Sequence, residues 1–108
     1  MKVAELIQHG FTAVTLPDGD REIEGAYVGD LLSWVMGRCG SGNAWITIMS
    51  NVNILAVAAL ADPSVIILSE DVTLPPDIVS SAEAKGVNVV STPLPSYEAA
   101  VRLSELLK

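Results

Sequence analysis

An α/β fold with a mainly parallel sheet, in two or three layers, follows from three observations on this 108-residue chain. Runs rich in β-branched residues begin near residues 45, 65 and 87. Each gap between them is long enough for a crossover helix, and parallel neighbours require such crossovers. Half of the residues are hydrophobic, yet only 5% are aromatic, so the apolar content is mainly Val, Ile, Leu and Ala. That is the usual filling of an α/β interior. At this length the whole chain, 1–108, reads as one domain whose core forms without metal or disulfide support.

Each element has a local reason. "KVAELIQHG" reads as a short helix stopped by Gly10, and "FTAVTL" as a strand. "PDGD" is a turn, with Pro and Gly where a tight turn needs them. "EIEGAYV" is extended, and "DLLSWVM" is a helix with Asp30 as its N-cap. "AWITIM" (Ala44–Met49) is a buried strand. "NVNILAVAAL", apolar nearly all round, predicts a largely buried helix capped by Asn51 or Asn53. "SVIILSE" (Ser64–Glu70) is the next strand. "PPDIVSSAEAKG" opens a helix on proline, with Lys85 in its last turn and Gly86 as its stop. "VNVVST" closes the series of strands, and an amphipathic helix from Ser96 carries Tyr97, Val101, Leu103, Leu106 and Leu107. No linker, low-complexity tract or repeat beyond the βα rhythm interrupts this order.

Charge and hydropathy narrow the partners. Thirteen acidic against six basic residues give a net charge of −7, which repels nucleic acid and anionic membranes. A mean hydropathy of +0.45 leaves surplus apolar surface for a second copy to cover, so a homodimer is expected. The longest apolar run, Ile54–Ala61, falls far short of the roughly 20 residues that span a bilayer. The single Cys39 forms no internal disulfide and suits a reducing cytoplasm. One His and one Cys make no case for a metal site, and no cofactor is expected.

The stretch "GRCGSGNAW" resembles a phosphate-cradling loop in its glycines alone. Such a loop follows a strand and opens a helix, so that backbone N–H groups converge on the anion. Gly37–Gly42 instead follows a helix and precedes a strand, so it reads as a connector at the N-terminal edge of the sheet. Ligands of open parallel sheets gather at the C-terminal edge. Small polar groups cluster there: Tyr27, Gly29 and Asp30, then Ser50, Asn51 and Asn53, then Ser69 and Glu70, then Ser91 and Thr92. Each also suits a cap or a turn. Catalytic groups are scarce. His9 ends a surface helix, and Cys39, beside Arg38, could carry some thiolate character but has no second Cys or His near it in sequence.

"DREIEGAYVGDLLSWVMG", Asp20 to Gly37, resembles the DRTGG-domain family, and the resemblance runs through roughly residues 3 to 107. Asp20 and Arg21 match the opening of the motif, and Gly25 follows after Glu22-Ile23-Glu24. "GDLLS" and "NVNILAVA" carry the rest most specifically. The resemblance implies a fold similar to the N-terminal domain of HPr kinase/phosphorylase, and a regulatory or assembly role rather than kinase chemistry. It implies a homodimer and a protein partner, with an adenine nucleotide at the C-terminal edge as the alternative. It brings no catalytic residue. For Asp20 and Arg21 the expected role is structural: Arg21 bracing turn carbonyls or pairing with Asp30, and Asp20 accepting backbone N–H groups.

Overall fold

The computed structural model describes all residues, Met1–Lys108. A 3-10 helix, Val3–His9, leads into strand β1 (Thr12–Thr15) and then β2 (Gly25–Val28). There follow α1 (Leu32–Arg38), β3 (Asn43–Thr47), α2 (Asn53–Ala61), β4 (Val65–Leu68), α3 (Pro76–Ala84), β5 (Val89–Ser91) and α4 (Ser96–Leu106). The sheet order is β1-β5-β4-β3-β2. β2 to β5 run parallel, and β1 closes the far side antiparallel to β5.

Alternation along the strands divides the interior into two cores. Trp45, Ile66, Leu68 and Val89 pack with Val35 of α1, Ile54, Leu55 and Ala58 of α2, and Ile78 and Ala82 of α3. Ala44, Ile46, Val65, Ile67 and Val90 point the other way, toward Val3 and Leu6 of the 3-10 helix and Ala99 and Leu103 of α4. Helices thus cover both faces, which gives three layers. β4 is buried at every position, as a central parallel strand between two helical layers must be. No helix is long and apolar enough to cross a membrane.

Three boundaries differ from the sequence reading, each for a physical reason. The first helix is 3-10, its start held by the Glu5 carboxylate, which accepts from the Lys2 N–H at 2.6 Å, and its end by the left-handed Gly10, whose N–H donates to the Leu6 carbonyl. α1 begins at Leu32, because Asp30 is engaged elsewhere and caps nothing. β5 begins at Val89, because the preceding Asn88 is a brace. Its Nδ2 donates to the carbonyls of Asp18 (2.7 Å) and Ser64 (2.9 Å), and its Oδ1 accepts from the Asp18 N–H at 2.9 Å. The "PDGD" turn is thereby fastened to the start of β4.

Candidate functional site

The C-terminal rim of the sheet is built in two parts. Where β2 and β3 end, Asp30 turns back onto the sheet: its Oδ1 accepts from the Thr47 hydroxyl at 2.7 Å and from the Ile48 N–H at 2.9 Å. Thr47 is completely buried and in turn accepts from the Met49 N–H at 3.1 Å. Asp30 therefore ties two strand ends together, which corrects its expected role as a helix cap. Trp45 Nε1 donates to the Gly29 carbonyl at 2.9 Å. Gly29 has no room for a side chain, since a Cβ there would lie 2.8 Å from the half-buried Tyr27 ring. In the next loop Asn51 Oδ1 accepts from the Asn53 N–H at 2.9 Å and starts α2 from two residues upstream. The side chains of Ser50 and Asn53 make no hydrogen bond of their own.

Where β4 and β5 end, the buried Ser69 hydroxyl meets the Ser96 hydroxyl at 2.6 Å, joining β4 to the first residue of α4. The buried Thr92 hydroxyl accepts from the Leu94 N–H at 3.2 Å, and Ser91 pairs with Thr12 across the antiparallel edge. Between them, Glu70 (φ 59°) and Asp71 (φ 61°) are both left-handed, in a turn closed by the Val72 N–H on the Ser69 carbonyl at 3.2 Å. Two successive left-handed residues make the turn type that favours Asn-Gly. Two backbone bonds hold the conformation, from Glu70 to the Leu94 carbonyl (2.9 Å) and from Asp71 to that of Thr92 (3.0 Å). Replacing Asp71 with glycine is expected to stabilise the protein by about 0.5–1 kcal/mol, read as a higher urea midpoint at unchanged slope.

The motif residues lie at the opposite edge. Arg21 pairs with Asp62 and not with Asp30: Nη1 lies 2.8 Å from Asp62 Oδ1, and Nη2 donates to the Asp62 carbonyl at 2.8 Å. Ser41 donates to Asp62 Oδ2 at 2.6 Å, and the Gly42 N–H donates to the Asp62 carbonyl at 3.0 Å. The glycine loop is thus a connector clamped onto the left-handed end of α2, as its position between helix and strand predicts. Asp20 accepts no backbone bond; it is exposed, with Lys2 Nζ 4.0 Å away. Gly25 opens β2, where a Cβ would meet Asn43 Oδ1 at 2.9 Å.

The hydrogen bonds from Arg21 and Ser41 hold the Asp62 carboxyl below its ordinary value of 3.8. Its contribution to stability is therefore complete above that value and is lost as pH falls through the lower folded value. Asp62 is more than half exposed, so solvent screens the pair. Arg21→Ala is expected to cost about 0.5–1 kcal/mol in urea melts at neutral pH, and less at pH 2.

Reactive groups are not assembled. Burial pushes the Cys39 thiol up from its ordinary 9.0, away from thiolate character, as suits a buried, idle thiol. His9 is exposed at the end of the 3-10 helix, beside Arg102, which donates to the His9 carbonyl at 3.4 Å. Four surface concavities lie along α4, beside β1 and α3, near His9, and by Arg21 and Lys85; none includes Asp30, Ser50 or Asn53. Sequence reasoning missed Thr47, Ser96, Asn88 and the Ser41–Asp62 contact. A lone polar residue in the apolar run "AWITIM" is the signal that would have found Thr47.

No family model matches this chain, and no curated protein matches it in sequence. Among solved structures it is similar to the CBS and DRTGG domains of the regulatory region of Clostridium perfringens pyrophosphatase, complexed with the activator diadenosine tetraphosphate. The TM-score is 0.68 at 17% identity, over 86% of this chain and 41% of that one. The likeness is one of fold, and this chain spans about two-fifths of the other's length.

Proposed function

We propose that this chain is a single DRTGG-type regulatory or scaffolding domain of the cytoplasm that pairs with a second copy, acts through a partner protein, and catalyses no reaction. The rim supports this reading: the polar side chains of Asp30, Thr47, Ser69, Thr92 and Asn51 are committed to joining strand ends and starting helices. Groups so engaged are poorly placed to bind or transform a substrate, because each must first give up an internal bond. The shared fold with a regulatory region points the same way.

A second reading is a sensor of an adenine nucleotide at the rim around Tyr27, Asp30, Ser50 and Asn53. One observation favours it: the similar structure was determined with an adenine dinucleotide activator. The free side chains of Ser50 and Asn53 would be its first contacts. The net charge of −7 opposes a polyphosphate.

A thermal-shift screen with mono-, di- and dinucleotides separates the two. A ligand at 100 times its dissociation constant adds about 2.7 kcal/mol, a rise of roughly 10 °C for a domain of this size. The scaffolding reading predicts an unchanged melting temperature with every nucleotide. A saturable rise with any of them would overturn the scaffolding reading in favour of nucleotide sensing, and its loss in Asn53→Ala would assign the binding to the rim.

A further inference from the structure

The proposal of self-association leaves open which surface is used, and the distribution of charge narrows it. All thirteen Asp and Glu residues lie outside Leu31–Ala61, and the only charge within that stretch is Arg38. Arg38 is folded over the Trp34 ring, 3.9 Å from its centroid. The same stretch holds six of the ten large hydrophobic side chains that the protein exposes: Leu31, Trp34, Met36, Ile48, Val52 and Leu60. Leu60 is 73% exposed and Val52 58%. Five of these six, all but Ile48, lie on α1 and α2 or at their N-caps, so between Asp30 and Asp62 the outer surface of the two helices is apolar and carries no acid, on a molecule that elsewhere repels its own kind.

The outward ridge of α2 matches itself. Val52, Ala56 and Leu60 are spaced four residues apart, so they lie one above another along one side of the helix. A two-fold axis passing at Ala56 inverts the ridge and sets Val52 of one copy against Leu60 of the other, about 12 Å apart along each helix. Alanine at the crossing point lets the two axes approach to about 8 Å. A stable interface takes about 800 Å² from each partner, which a molecule of 31 × 26 × 24 Å supplies only by offering most of one face. A basic partner would be drawn to the acidic surface, whereas this face carries no acid to attract it.

We infer that the α1–α2 face is the homodimer interface, with α2 packed against α2 of a second copy across a two-fold axis near Ala56. This rests on the self-association proposed above, and the test keeps the two apart. The masses of wild type, Leu60→Glu and Tyr97→Glu would be measured by light scattering, with circular dichroism to verify folding; both positions are exposed, so neither change enters a core. Leu60→Glu sets an unpaired carboxylate against Val52 at each end of the apolar contact and is expected to weaken the dimer at least about a hundredfold. Tyr97→Glu, on α4, leaves it intact. Ala56→Cys should give a covalent dimer with a short bis-maleimide, while the wild type, whose lone Cys39 is buried, gives none. A wild-type dimer that survives Leu60→Glu, or that Ala56→Cys fails to cross-link, overturns the assigned face and leaves self-association standing. A wild type that is monomeric throughout overturns both.

Discussion

Replacing Trp45 with alanine is expected to remove about 3–5 kcal/mol of folding stability, the largest single loss available in this chain. Trp45 is the largest of the fully buried side chains and stands in the core between β3 and helices α1 and α2. The substitution empties that volume and also leaves the Gly29 carbonyl without its 2.9 Å donor. Against a total of about 5–15 kcal/mol for an ordinary domain, that is a large share of the whole. Trp45→Phe separates the two contributions: it keeps most of the volume and loses the hydrogen bond, at about 1–3 kcal/mol. Urea denaturation followed by circular dichroism measures both. A loss below 1 kcal/mol for Trp45→Ala would mean that the ring is not packed as described.

The second large effect is at Asn88, where alanine is expected to cost about 3 kcal/mol. Three backbone groups lose their partner at once: the N–H and carbonyl of Asp18, and the buried carbonyl of Ser64. Asn88→Asp should be at least as damaging. It keeps the acceptor, removes both donor bonds, and sets a carboxylate against two carbonyls in a site only 3% exposed. Asn88 lies at the N-terminal edge of the sheet, away from the rim and from the α1–α2 face. At temperatures where it is folded, Asn88→Ala should therefore self-associate as the wild type does. A nearly neutral Asn88→Ala would show that water serves these groups just as well.

The parallel part of the fold was legible because its cause is local. β-branched runs such as "VIIL", separated by helix-length stretches, permit few arrangements other than crossovers. The direction of β1 was not legible: "FTAVTL" has the composition of its neighbours, and pairing direction is set by where the chain turns. Asp30 was misplaced for a related reason. An Asp before "LLSWVM" fits a helix cap by propensity, but the buried Thr47 hydroxyl and the Ile48 N–H, supplied from 17 and 18 residues away, compete for it and win. The partner of Arg21 is 41 residues distant, so nothing near the "DR" pair could name Asp62. Asn88 did leave a trace, since Asn is uncommon beside a run such as "VNVV", and its brace explains why the strand starts late. At the rim, residue types identified where the polar groups would collect. Only coordinates reveal that most of them are bonded to one another.

Function through association rather than through a bound ligand or a reaction is the central claim. Sedimentation equilibrium of the wild-type chain over a wide concentration range tests it most directly. The account predicts a mass twice that of the 11.3 kDa chain, dissociating only on strong dilution. A mass of one chain at every concentration would contradict it.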